Sequence, residues 1–263
     1  MSWQDHQIWQ VCLHQADPSW QAVLRQGLDA VEQAQPGYLE SLRNRQFLPT
    51  QNRLFAAFSL PFDHVQHVLI GEGPYPREQS ATGFAFMDGA VASLWANTER
   101  SALSKTVNRA TSLRNFIKML LVAEGVLAPD DTGASAFAAI ASLLRDPELA
   151  YIETGAELQQ NFIRNGVLLL NASLVFSSDV APAKDALAWR PFLQRILRSL
   201  QERAQQAPAD LILWGKIAEA VNQIPEARNF PQLLSEHPYN LSFIQNSAMQ
   251  QFFKPLQLLK KMQ

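Results

Sequence analysis

The chain has a single cysteine, Cys12, among its 263 residues. One cysteine excludes an internal disulfide and a cysteine-based metal cluster, and it fits most simply a protein of the reducing cytoplasm. No stretch approaches the roughly 18 consecutive apolar residues of a membrane span, so we expect no membrane partner. The first residues lack a basic segment followed by an apolar one, so we expect no secretory signal.

The sequence also lacks an excess of positive charge. Lys and Arg total 22 against 24 Asp and Glu, which gives a net charge of −2. Any DNA contact must therefore rest on local donors rather than on an overall basic surface. Hydrophobic residues make up 47% of the chain, which indicates a folded protein. Since we find no repeat or linker, the sequence predicts one domain, residues 1–263, with a helical N-terminal extension at 1–45. We expect a monomer.

Apolar runs of strand length alternate with segments of helical period. The predicted strands are Gln66–Ile70, Gly166–Leu170, Asp210–Trp214 and Gln232–Ser235. The predicted helices are Ser112–Glu124, Ala134–Leu144, Pro191–Arg203 and Phe243–Leu259, the last bent at Pro255. This alternation predicts an α/β fold with a mostly parallel sheet covered by helices on both faces. Residues 128–161 show the weakest pattern, and we expect an elaborated crossover there.

The segment Gly71–Pro76 follows the first predicted strand and contains two glycines and two prolines. Such a loop is rigid and sharply turned, and α/β proteins place their sites at the carboxyl ends of parallel strands. Asn171 and His237 also follow predicted strands. Each feature alone has an ordinary structural interpretation: a connecting turn, an asparagine that caps a loop, and a surface histidine.

The order of several motifs resembles the uracil-DNA glycosylase superfamily, and its family-1 branch in particular. The resemblance covers roughly residues 47–259. The matching segments are Phe47–Pro49, Leu54–Phe58, Gly71–Phe86 (the GQDPYH loop and its continuation), Thr111–Asn115 (the PPSL loop), Val167–Leu174, Ala188–Phe192, Leu213–Gly215 and His237–Ser242 (the HPSPLS loop). The family has a four-stranded parallel sheet flanked by helices, and its members flip the target base out of DNA into a pocket.

The resemblance implies a role for each residue of a base pocket. Phe86 would stack on the flipped uracil, and Asn171 would pair with its polar edge through an amide that both donates and accepts. Tyr75 would exclude the methyl group of thymine. His237 would hydrogen-bond the uracil oxygen that gains negative charge as the glycosidic bond breaks.

The resemblance also implies contacts with DNA outside the pocket. Leu241 would be the apolar wedge that fills the gap left by the flipped nucleotide. Ser112 and Ser242 would hold phosphates through hydroxyl and backbone amide groups, which need no net positive charge. DNA is thus the expected partner, and no cofactor or metal is expected.

The catalytic loop departs from the family at the position that matters most. The family-1 Asp that positions the attacking water is Gly73 here, and the usual His is Pro76, as in poxviral members. The loop also resembles the GEGPG loops of a fourth branch that is active without the Asp, and Glu72 is a candidate for holding the water. Tyr239 and Asn240 replace a Ser-Pro pair, and Thr111 replaces a Pro.

Three interpretations remain open. Losing one preorganised group typically slows a reaction by about 100- to 1,000-fold, or roughly 3 to 4 kcal/mol, which a total enhancement of about 10⁶ or more can absorb. We therefore expect a weakened or mechanistically altered uracil-DNA glycosylase. The alternatives are a non-catalytic homologue that binds DNA or protein, and a glycosylase for a different damaged base.

Overall fold

The computed structural model describes residues 3–98, 101–203 and 208–261. Its strands are β1 (His67–Gly71), β2 (Trp95–Thr98), β3 (Ser101–Leu103), β4 (Val167–Asn171), β5 (Asp210–Trp214) and β6 (Gln232–Ser235). Its helices are α1 (Gln7–Leu13), α2 (Gln21–Ala34), α3 (Tyr38–Arg43), α4 (Lys105–Arg109), α5 (Thr111–Ala123), α6 (Ala134–Ile140), α7 (Gly155–Arg164), α8 (Pro182–Gln201), α9 (Ile217–Asn222) and α10 (Ser247–Phe253). None of these helices combines the length and apolar content needed to cross a membrane.

The main sheet has four strands in the order β4–β1–β5–β6, and β1 runs parallel to both β4 and β5. All five residues of β4 are buried, which explains why this strand reads as a continuous apolar run rather than an alternating one. The predicted α/β class and its mostly parallel sheet are confirmed. In the register of β1 and β4, Gly71 lies opposite Asn171.

The second half of the chain shows where the predicted helix boundaries were wrong. Helix α8 begins at Pro182 and carries Pro191 inside it, whereas the prediction began the helix at Pro191. Proline is well tolerated at the first helical position, and buried Ala188 and Trp189 continue the apolar face upstream of Pro191. Burial of the residues on both sides of Pro191 therefore stabilises the helix across this internal proline.

The predicted closing helix, Phe243–Leu259, is shorter than expected. Helix α10 covers only Ser247–Phe253, and Lys254–Leu256 forms a 3₁₀ turn that contains Pro255. The side chain of Asn246 accepts a hydrogen bond from the backbone of Met249 and so starts the helix late. Helix α6 likewise ends at Ile140 rather than Leu144. The hairpin of β2 and β3 had no counterpart in the prediction.

The chain forms two compact units. The first consists of Met1–Asp88, Gly166–Leu213 and Ile217–Gln232. In it, α2 packs along α8 so closely that a Cβ at Gly27 would lie 2.6 Å from the ring of Phe192. Buried Asp185 of α8 accepts a hydrogen bond from the hydroxyl of Tyr38 and forms an ion pair with Arg45. These contacts bind the N-terminal helices to α8.

The second unit consists of Gly89–Asn165, Trp214–Lys216 and Leu233–Gln263. Its core is a cluster of rings around Phe116 of α5, whose centroids lie 5.1 to 6.5 Å from that of Phe116: Phe162, Trp214, Phe243 and Phe253. Helix α5 follows its predicted period and buries this face. The single domain over residues 1–263 stays a prediction.

Candidate active site

In the first unit, the catalytic loop leaves β1 alongside the segment that leaves β4. The pairing of the two strands continues beyond their ends, because Ala172 donates to the carbonyl of Gly71 at 2.8 Å and Ser173 donates to that of Glu72 at 3.1 Å. A Cβ at Gly71 would lie 2.7 Å from Oδ1 of Asn171. Glycine is therefore required at position 71 for the Asn171 amide to occupy this place.

Asn171 is the last residue of β4 and is only 4% exposed. Its side-chain oxygen lies against the backbone of Gly71, as the short distance to a built Cβ there shows. A carboxamide offers both a donor and an acceptor to a ligand, and Asn171 lies at the carboxyl end of a parallel strand, where α/β proteins place their sites.

Position 73 has room for a side chain. Gly73 lies outside the left-handed region of backbone conformation, and a Cβ there would meet only Ser173, at an ordinary contact distance of 3.6 Å. The hydroxyl of Ser173 donates to the carbonyl of Val175 at 2.8 Å, so it does not replace a carboxylate. Glu72 is exposed. Neither Ser173 nor Glu72 therefore fills the space that a side chain at position 73 would occupy.

Tyr75 in this loop and Phe86 beyond it lie in the same unit. The hydroxyl of Tyr75 donates to the carbonyl of Phe86 at 3.5 Å, and burial together with the charge of Asp88 raises the pKa of Tyr75 to about 12. Half-buried Phe86 has a φ of 66°, which is rare for a residue with a side chain. Ala85 fixes this segment by donating to Leu169 at 2.9 Å. Such strain is common at ligand sites.

In the second unit, the His237 imidazole is held in one tautomer. The backbone N–H of Tyr239 donates to Nδ1 of His237 at 3.1 Å, so Nδ1 acts as an acceptor. In a neutral imidazole the proton then lies on Nε2. His237 is exposed.

Three neighbours anchor the loop that carries His237. The buried side chain of Asn115 on α5 donates to the carbonyls of Pro238 at 2.8 Å and Tyr239 at 3.3 Å. Gly215 has a φ of 69°, and a Cβ on it would lie 2.9 Å from that of His237. Glycine thus permits a close approach of the two backbones.

Glu236 forms the third anchor. Its carboxylate accepts hydrogen bonds from the side chains of Asn246, at 3.0 Å, and Ser242. Burial raises the pKa of Glu236, but these bonds and one from its own backbone outweigh burial and hold the pKa below its usual range. The charged carboxylate therefore joins the two ends of the loop.

The predicted DNA contacts are also placed in the second unit. Leu241 is 69% exposed and Tyr239 is 67% exposed, so the loop presents an apolar tip, and the Tyr239 ring fills no cavity. The hydroxyl of Ser242 bonds to Glu236. Ser112 lies half-buried in the first turn of α5.

The structure adds Asn115, Glu236 and Ser173 to the residues that the sequence singled out. Asn115 and Ser173 lie in segments that match the family motifs, Thr111–Asn115 and Val167–Leu174, but no role for either residue was predicted from the sequence. Among the described residues, no group of three His, Cys, Asp or Glu side chains is arranged to hold a metal ion.

The known proteins that this chain resembles are named UNG or uracil-DNA glycosylase. The chain is 40% identical to a solved UNG structure from Nitratifractor salsuginis, with a TM-score of 0.86 and coverage of 98% of both chains. It is 28% identical over 235 residues to a uracil-DNA glycosylase of Corynebacterium glutamicum, covering 85% of this chain and 80% of that one. A mimivirus uracil-DNA glycosylase structure, 15% identical with a TM-score of 0.52 and coverage of 86% of this chain and 71% of that one, shares the fold. No family model matches the chain.

Proposed function

The chain belongs to the uracil-DNA glycosylase superfamily, and we propose that it removes uracil from DNA slowly, by stabilising the departing base rather than by activating water with a carboxylate. DNA is the substrate, and hydrolysis of the N-glycosidic bond is the reaction. The choice of base and the chemistry each rest on specific residues.

The carboxamide of Asn171, at the buried end of β4 and opposite Gly71, carries the proposal. The polar edge of uracil presents an N–H donor beside a carbonyl acceptor, and a carboxamide is complementary to that pair. Cytosine presents the opposite pattern on this edge. A site that hydrogen-bonds one base in this way rejects the other strongly, because the wrong base leaves buried polar groups unpaired.

Tyr75 and Phe86 complete the base specificity. Phe86 provides the aromatic face on which the flipped base stacks. Tyr75 stays neutral, since burial and Asp88 raise its pKa to about 12, and its ring excludes the methyl group that distinguishes thymine from uracil. Phe86 directly follows Ala85, whose backbone N–H donates to the carbonyl of Leu169.

His237 stabilises the leaving group. As the glycosidic bond breaks, negative charge gathers on a carbonyl oxygen of uracil, and a neutral Nε2–H donor held in place meets that charge. The Tyr239 N–H fixes the required tautomer. Leu241 fills the space vacated in the DNA stack, and Ser112 and Ser242 hold the flanking phosphates.

Gly73 makes the enzyme slow. It supplies no carboxylate to orient water or to stabilise a cationic sugar, and such a group is worth about 100- to 1,000-fold. The reaction then depends on departure of the base, with the exposed carboxylate of Glu72 as the candidate for holding the attacking water.

A second candidate function is a homologue that binds DNA without cutting it. The observation that favours it is the empty space at position 73, where only Ser173 lies within 4 Å of the built Cβ. The pocket and the DNA-binding loops then serve recognition alone.

One assay tests the proposal. Excess protein is incubated with single-stranded DNA that contains one uracil, and abasic sites are revealed by alkaline cleavage. Slow, first-order product formation is expected, with none from the matching thymine or cytosine strands. Tight binding with no product above the buffer control would establish the second candidate.

A further inference from the structure

The segment 101–123, which covers β3, α4 and α5, is strongly one-sided in charge. It carries four cations and no Asp or Glu, in a chain whose net charge is −2. The cations are Lys105, Arg109, Arg114 and Lys118. A concentrated positive segment within a slightly acidic protein is the local electrostatic feature that an anion recognises.

The side chains of two of these cations, Arg114 and Lys118, line a cavity of about 230 Å³ in the second unit. Arg114 and Lys118 are four residues apart on α5, so they lie on the same face of the helix. The other lining residues are Leu103, Asn108, Gly133, Ala134 and Phe137. Since a water occupies about 30 Å³, the cavity has room for an oxyanion.

The partners of both cations are neutral. Arg114 donates to the carbonyl of Asn108 at 2.9 Å and to Oδ1 of Asn115 at 3.4 Å, so it uses two of its five N–H donors. Lys118 donates to the carbonyl of Thr132 at 2.6 Å, and its Nζ lies 5.3 Å from the centre of the Phe137 ring. Within the described residues, neither cation forms an ion pair.

Like charges at this spacing destabilise a helix. Burial lowers the pKa of Lys118, and the charge of Arg114 lowers it further. An anion bound between the two side chains would remove the repulsion and use their remaining donors. Ser112 lies two residues before Arg114, in the first turn of α5, where no side chain caps the helix.

We propose that Arg114 and Lys118 clamp a backbone phosphate of the DNA strand, beyond the phosphate held at Ser112. The site rests on the proposed function for its ligand, since phosphates follow one another along the strand. Arg114 supplies the planar fork that suits phosphate oxygens, and Lys118 supplies a point charge.

The test measures binding alone, with single-stranded DNA that contains no uracil, so it does not depend on catalysis. The logarithm of the binding constant is plotted against that of the salt concentration, and each neutralised phosphate contributes about 0.7 to the slope. The double variant Arg114→Gln/Lys118→Gln should lower the slope by about 0.7. Lys118→Gln alone should weaken binding and leave the Asn115 contacts intact.

Arg164→Gln is the matched control, because Arg164 is an exposed cation on α7. Its slope should equal that of the wild type. An unchanged slope in the double variant overturns the proposal, even if the wild type cleaves uracil DNA. A lowered slope supports it, even if no cleavage occurs.

A second arm separates DNA from free phosphate. The melting temperature is measured in inorganic phosphate and in chloride at equal ionic strength. One outcome is that phosphate stabilises the wild type alone while the two proteins show equal salt slopes in DNA binding. In that case the cavity binds free phosphate, and the DNA assignment is wrong.

Discussion

The two loops that carry the candidate chemistry differ in how complete they are. The loop of His237 is fully supported: Tyr239 fixes the imidazole tautomer, and Asn115 and Glu236 hold the backbone. The loop that begins at Gly71 keeps its scaffold and its neighbour Asn171, yet position 73 has no side chain and only Ser173 beside it.

This difference separates two halves of glycosidic bond cleavage. Stabilisation of the departing base needs a positioned donor, and capture of the sugar by water needs an oriented nucleophile. Under the proposed function, His237 is the donor for the first half, and the lack of a side chain at Gly73 weakens the second. The reaction should therefore respond strongly to changes at Asn171 and His237, and it should improve when a carboxylate is restored.

The largest loss is expected from Asn171→Asp. The two side chains have the same shape, but the carboxylate cannot donate to the uracil carbonyl and places a charge in a buried site. Single-turnover cleavage of uracil DNA should fall by at least about 100- to 1,000-fold. Asn171→Gln, which keeps the amide but displaces it, is the companion variant. Equal rates for Asn171→Asp and wild type would show that Asn171 does not bind the base.

His237→Ala should lower the cleavage rate by about 100-fold, the low end of the effect of one lost donor on developing charge. The affinity for DNA without uracil should change little, because the lost bond forms only as the base departs. Paired measurements of binding and single-turnover rate check this. A variant that binds more weakly but cleaves at the wild-type rate would show that His237 holds DNA instead.

A smaller effect is expected from Glu236→Ala, which frees the ends of the His237 loop. The cleavage rate should fall about tenfold, since each lost hydrogen bond to a charged group is worth about 1.5 to 3 kcal/mol when fully formed and Asn115 still anchors the loop. Glu236→Gln, which keeps one acceptor oxygen, should lie between Glu236→Ala and the wild type.

The Glu236 carboxylate should make the stability of the His237 loop depend on pH. The folded protein lowers the pKa of Glu236, so its contribution to stability is present above the ordinary Glu pKa of about 4.3. It is lost as the pH falls through the lower folded value. The protection factor of the Tyr239 amide, which is the intrinsic exchange rate divided by the measured rate at the same pH, should therefore be high near neutral pH and should fall in acid. Identical pH profiles for wild type and Glu236→Gln would contradict this role.

The smallest effect is expected from Tyr75→Phe. The hydroxyl bond to the Phe86 carbonyl is long, at 3.5 Å, and contributes little at that distance. Cleavage of uracil DNA should change by less than about threefold, while Tyr75→Ala should begin to admit thymine. Rates on paired uracil and thymine strands measure both changes, and thymine cleavage by Tyr75→Phe would assign exclusion to the hydroxyl.

The sequence predicted the elements whose burial is local and periodic. Helix α5 follows its apolar period, and each predicted strand appears within one residue of its expected ends. The bounds of α8 and α10 depend on packing and capping instead. Pro191 lies inside a helix because its neighbours are buried, and Asn246 sets the start of α10 through its side chain.

The candidate site divides in the same way. Asn171 and His237 follow strands, so their position could be predicted from the sheet order and the motifs around them. Asn115 could not, because it anchors carbonyls more than 120 residues away in the chain. The unpaired charges of Arg114 and Lys118 are also visible only when their neutral partners are known.

The most direct test of the account is the single-turnover rate of Gly73→Asp on uracil DNA, compared with the wild type. The structure leaves ordinary contact distance around a Cβ at this position. The expected result is a rate increase of about 100- to 1,000-fold, abolished by adding Asn171→Asp. An unchanged rate in a folded Gly73→Asp protein would contradict the claim that position 73 is what limits this site.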